Sequence, residues 1–156
     1  MQELESSLNR LMATRGGVAE IANDPVSIAH RYSSPVDVEI AGLIAAQLAY
    51  GRVSLFLPIL SRIFDYADAS GGPEAWLRGF RVEAEIEPLN AFGYRFSKGI
   101  DHAIFFETIG RVIRRYGSLK ALFEQSWSEA GSMRGTLLAG VGEMREHAAQ
   151  VGESLG

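Results

Sequence analysis

The chain has 156 residues, 47% hydrophobic and 22% charged, a make-up that points to one globular domain with enough apolar mass for a real core. A formal net charge of -4 excludes a protein that coats nucleic acid through bulk charge, while leaving a local basic face open. The lack of cysteine excludes disulfides, thiolate nucleophiles and Cys-ligated metal centres, and three scattered histidines argue against an all-protein metal site, so no metal or cofactor is expected.

The first segment, MQELESSLNRLMATR, is amphipathic and charged, unlike a secretory signal. Leu4, Leu8, Leu11 and Met12 place an apolar stripe on a first helix that Gly16-Gly17 ends, and a turn from Val18 to Asn23 leads to Asp24-Pro25. Ser33-Ser34-Pro35 breaks the chain, and Asp37 is placed to cap a helix over Val38 to Tyr50. That helix is apolar nearly all round and Gly51 stops it. A second apolar helix runs from Ser54 to Ala69, with Pro58 tolerated in its first turn or at a kink. The two form a central buried helical hairpin.

Ser70-Gly71-Gly72-Pro73 is a loop, followed by a short helix marked by Trp76, Leu77 and Phe80. The stretch Val82 to Asn90, with Glu83, Glu85 and Glu87 in alternation before Pro88, reads as a connector. A strong amphipathic helix spans Ile100 to Tyr116. Gly117 caps it, Ser118 starts the next, and a last helix covers Met133 to Gln150 before a frayed tail. No segment alternates as a strand would. The expectation is an all-α, single-domain helical bundle over residues 1–156. No run approaches the roughly 20 apolar residues of a membrane span, which predicts no membrane partner and a cytoplasmic location.

Four constellations offer chemistry. In the first, His30, Arg31 and Tyr32 stand near Asp37 and Glu39: either the cations meet a phosphate or carboxylate, or Asp37 caps the central helix while Arg31 pairs with Glu39. In the second, Gln47, Tyr50, Gly51 and Arg52 sit at the mouth of the hairpin, where they either touch a ligand or simply end a helix. The third interleaves aromatic and basic residues at Tyr94, Arg95, Phe96 and Lys98, with Asp101 and His102 behind. Six cations, among them Arg111, Arg114 and Arg115, oppose two carboxylates over residues 93–120, giving a locally basic face. The plainer alternative makes Phe96 core, Asp101 a cap and the arginines a wet helix side. The fourth, Leu138-Ala139-Gly140-Val141-Gly142, is one residue from the glycine hairpin of helix-hairpin-helix DNA-binding motifs; its glycines otherwise allow close packing of the last helix.

The pattern Asp24-Pro25, His30-Arg31-Tyr32, Pro35, Asp37, Glu39-Ile40-Ala41-Gly42 and Leu48-Ala49-Tyr50-Gly51-Arg52 resembles an uncharacterised bacterial family, the domain of unknown function numbered 2400. Arg95-Phe96, Asp101 and Tyr116-Gly117-Ser118-Leu119 also look like that family. Its members continue into a Ser-Ala-Cys-Lys-Arg-like helix and an Asp-Thr-His-like segment, similar to the catalytic half of helix-hairpin-helix base-excision glycosylases. Neither segment is present in this chain, so the resemblance places no reacting residue here. It implies the N-terminal helical part of a nucleic-acid-processing protein, binding DNA weakly through Arg52, Arg95, Arg111, Arg114 and Arg115. A non-catalytic interaction module that self-associates through apolar surface is the alternative, and a hydrolase or lyase built on His30, Asp37 and His102 ranks last.

Overall fold

The computed structural model describes residues 2–15 and 21–155, and the elements it contains are helical throughout. In chain order these are α1 (Gln2–Arg15), α2 (Val26–Ala29), α3 (Pro35–Leu48), α4 (Val53–Ala69), α5 (Pro73–Gly79), α6 (Val82–Leu89), a 3-10 turn (Asn90–Phe92), α7 (Gly99–Tyr116), α8 (Leu119–Ala130) and α9 (Met133–Ser154). The expected all-α bundle is present. The expected stop at Gly16-Gly17 and the start of the turn from Val18 lie outside the described residues, as does the side chain of Met12.

The hairpin forms from α3 and α4. One arm buries Ile40, Ala41, Ile44, Ala45 and Leu48, and the other Phe56, Leu60, Ile63, Phe64 and Ala67. α3 starts earlier than the sequence suggests, because Pro35 occupies its first position, where a missing N–H costs nothing. Pro58 falls in the second turn of α4 rather than the first. Pro58 and Ser54 are both exposed, so the hydrogen bond that the proline removes lies on the side where water can replace it.

Beside the hairpin, α7 runs through the bundle and packs against α5, α6, α8, α9 and the 3-10 turn. Gly110 of α7 faces the main-chain carbonyl of Leu77, leaving no room for a side chain where α5 crosses. Aromatic edges fill the junction: Trp76 packs on Phe106 at 5.0 Å between centroids, on Phe80 at 5.6 Å and on Tyr66 at 5.9 Å.

Residues 82–89 form a helix where a connector was expected. Val82 and Leu89 are buried and Ile86 is half-buried, a spacing of four and three that the alternating glutamates obscure. Gly71 and Gly72 take φ of 95° and 106° in the loop before α5. Gly117, at φ 87°, ends α7, and Ser118 Oγ accepts the Ala121 N–H at 2.9 Å to open α8.

Candidate functional site

The turn between α3 and α4 meets the turn between the 3-10 segment and α7, and two tyrosines join them reciprocally. Tyr50 Oη donates to the Tyr94 carbonyl at 2.9 Å and lies 3.0 Å from Ser97 Oγ, while Tyr94 Oη donates to the Tyr50 carbonyl at 2.8 Å. Their rings pack 5.0 Å apart. Tyr94 and Ser97 also exchange main-chain hydrogen bonds of 3.0 and 2.9 Å, closing a tight turn with Arg95 and Phe96 at its tip. Arg95 takes φ 53°, a strained conformation for a side-chain-bearing residue.

The Arg95 guanidinium lies over Gly51, whose φ of 91° and lack of a Cβ admit both it and the Tyr94 hydroxyl. Phe96 is 88% exposed, so it is not core; it projects from the turn. Arg95 precedes it and Lys98 follows two residues later on the same turn, Arg52 follows Gly51 on the adjoining turn, and among the described residues none of the three has an ion-pair partner. Asp101, as expected, caps α7: its carboxylate accepts the Lys98 N–H at 2.7 Å. An exposed ring on an over-determined turn with cations beside it in the chain and on the adjoining turn can stack on a base while the cations meet backbone phosphates.

The polar cluster before α3 resolves into cross-links between helices. Arg31 does not pair with Glu39: its Nη2 lies 2.6 Å from both Asp65 and Asp68 of α4, and Tyr32 Oη donates to Asp68 at 2.8 Å. Burial, then the hydrogen bond to Asp68, pushes the Tyr32 phenol well above its ordinary range. Asp37 caps a helix, but not its own: it accepts the Glu74 N–H of α5 at 2.7 Å. Glu39 accepts the Lys120 N–H in the first turn of α8 at 3.0 Å. His30 is exposed at the end of α2.

The arginines late in α7 are engaged in ion pairs. Glu107 Oε1 receives Arg111 at 3.2 Å and Arg114 at 2.6 Å, and Arg114 also donates to the Leu77 carbonyl at 3.0 Å. Arg115 pairs with Glu143 at 2.7 Å. The local positive charge of residues 93–120 is therefore partly cancelled by carboxylates, one of which arrives from α9. Lys98 and Arg114 stand at opposite ends of α7, about 24 Å apart along the axis. The structure does not join the two cation groups into one face.

Leu138 to Gly142 lies inside the unbroken helix α9, so it is not a hairpin. Gly140 sits against the ring of Phe123 and Gly135 against Ala130, as close packing requires, whereas Gly142 meets nothing. His30, Asp37 and His102 form no triad: Asp37 is committed to α5, and His102 is buried, stacked on Phe106 at 5.9 Å. Among the described residues no cluster of acidic or histidine side chains could hold a metal, and no helix is long and apolar enough to cross a membrane.

Gln47 stands at the edge of a feature that sequence reasoning missed, an apolar groove of about 490 Å³ between α3, α7, α8 and α9. A second depression of about 360 Å³ continues along α8 and α9 and shares the wall residue Phe123. The spacing of Trp127, Met133, Leu137 and Val141 was the available signal, but it looks the same for a covered and an uncovered stripe.

No curated protein and no solved structure matches the chain. Residues 24–154 match one family, so the match takes in the tyrosine-locked turns, the cross-linking carboxylates and the groove. This chain belongs to the family described as "Protein of unknown function (DUF2400)".

Proposed function

We propose that this chain is a helical nucleic-acid-binding module, without a reaction of its own, from a nucleic-acid-processing protein of glycosylase-like kind. The observation that carries it is the tip at Phe96: a fully presented ring, held by a locked turn that carries Arg95 and Lys98, with Arg52 on the adjoining turn, none of the three cations having an ion-pair partner among the described residues. Single-stranded nucleic acid is the partner this chemistry fits, since an exposed ring stacks on any unpaired base and three cations follow its backbone. The acidic chain as a whole adds no bulk attraction, so binding is weak and local. We place the protein in the cytoplasm, where such strands are available. The likeness to glycosylases enters only through the sequence pattern and assigns no reacting residue.

Fluorescence anisotropy of a labelled oligonucleotide, titrated at several salt concentrations, tests this. With three phosphate contacts the slope of log K against log salt is about -2 for a single strand. Phe96→Ala weakens binding about tenfold, and Arg52→Ala or Arg95→Ala reduces the slope by roughly one contact each. No binding at low salt, or binding indifferent to these variants, refutes the proposal.

An exposed apolar face on α8 and α9 favours a second role, self-association. Trp127, Met133, Leu137 and Val141 all stand at least partly in solvent along the groove side of this helix pair. Such a continuous apolar strip marks an interaction surface on a globular protein.

A further inference from the structure

Two apolar surfaces of this chain lack cover, and they match. The first is α1, whose Leu4 and Leu8 are 65% and 52% exposed, with Leu11 next on the same face. The second is the groove along the α8–α9 pair. From α8 it takes Leu119, Phe123 and Trp127, spaced one helical turn apart. From α9 it takes Met133, Leu137, Val141, Met144 and Ala148, a single stripe down that helix.

Their dimensions agree. Met133 to Ala148 covers about 22 Å of α9, and the 14 residues of α1 make a rod of about 21 Å. Charge agrees as well. The first turn of α1 carries Glu3 and Glu5. Arg134 and Arg145 stand at opposite ends of the α9 stripe, and neither has an ion-pair partner among the described residues. The acidic end of α1 thus meets a cation whichever way the helix lies.

We propose that α1 of one copy lies in the α8–α9 groove of a second copy, and reciprocally, giving a two-fold dimer stapled by exchanged N-terminal helices. This rests on the self-association role above and names its occupant. An amphipathic helix in an apolar groove is a familiar mode of recognition, with anchors at the spacing of Leu4, Leu8 and Leu11. Reciprocal exchange buries both uncovered surfaces twice and closes the assembly at two copies.

The cysteine-free chain makes the test direct. Leu8 is central on its stripe and Val141 central on the groove, so these positions come together in either helix direction. Full-length Leu8→Cys and Val141→Cys proteins, mixed and oxidised, should give a covalent heterodimer on a non-reducing gel. Sedimentation velocity should show the unsubstituted chain as a dimer. Leu8→Glu and Val141→Glu should each raise its dissociation constant at least about tenfold, with helical circular dichroism unchanged. A dimer dispersed by Val141→Glu but not by Leu8→Glu, with no cross-link, overturns α1 as the occupant and leaves the self-association role standing. A monomer whose double-cysteine variant closes an internal disulfide overturns the exchange, because α1 then covers its own groove. A monomer that forms no disulfide removes both.

Discussion

His102 shows what burial does to a group that a sequence offers for acid–base chemistry. Beside Asp101, on a helix near basic residues, it looks like half of a proton-transfer pair. In the fold its ring is buried against Phe106, and loss of water lowers its pKa, a shift that Asp101 and a hydrogen bond to the Phe92 main chain only partly oppose. The native state therefore holds the imidazole neutral while the unfolded chain protonates it near pH 6.5. Below that pH the unfolded state binds the extra proton, so this contribution to stability is complete above about pH 6.5 and is lost as pH falls toward the folded pKa. Urea unfolding between pH 7.5 and 5.5 should show a loss approaching about 1.4 kcal/mol per unit from this group. In His102→Leu that part of the slope should vanish. An unchanged slope would show that His102 is solvated in the native state. Phe96 carries the opposite lesson: its apolar character suggests core, yet two residues of turn geometry put it outside. A residue's type limits what it can do, while its neighbours in space decide what it does.

Among elements, capping is the link least visible in sequence. Asp37 carries the correct chemistry for a helix N-terminus and stands beside one, yet it serves α5, which begins 36 residues later. Replacing Asp37 with Ala should lower stability by about 1 kcal/mol, the usual cost of a lost cap, and Asp37→Asn should recover most of it, since an amide oxygen still accepts the Glu74 N–H. Equal losses in the urea midpoints of the two variants would argue that charge, not the cap, is what α5 needs. Helix interiors, by contrast, were largely readable. The stripe of α7 and its stop at Gly117 follow directly from residue order and spacing, whereas α3 ends at Leu48, two residues short of the Tyr50 end that Gly51 suggested. Helix α6 was hidden because its three glutamates alternate and imitate an extended segment, while the inward set of Val82, Ile86 and Leu89 is thin. The candidate site was half legible: Gly51, Arg52 and Arg95 were singled out as separate clusters. Their meeting depends on two tyrosine hydroxyls reaching across 44 positions, which no local pattern records.

On the scale of the whole molecule, the division of the cations sets what each can do. Arg52, Arg95 and Lys98 lie on the two tyrosine-joined turns before α7 with no ion-pair partner among the described residues, whereas Arg111 and Arg114 late in α7 share the buried carboxylate of Glu107. A buried carboxylate needs its partners, and Arg114 supplies the shorter contact together with a bond to the Leu77 carbonyl across the α5–α7 crossing. Arg114→Ala should therefore cost about 2 kcal/mol, less than a fully buried pair because the guanidinium is partly in water. Thermal unfolding reads that loss, and Arg114→Lys should recover little of it, since a single ammonium cannot serve both the carboxylate and the carbonyl in the same geometry. At a temperature where the variant is fully folded, its oligonucleotide affinity and salt slope should equal those of the unsubstituted chain. Arg52→Ala should show the converse, a shallower salt slope at unchanged stability. If Arg114→Ala instead flattened the salt slope, the late α7 arginines would be meeting phosphate, and the nucleic-acid interface would extend along the whole helix.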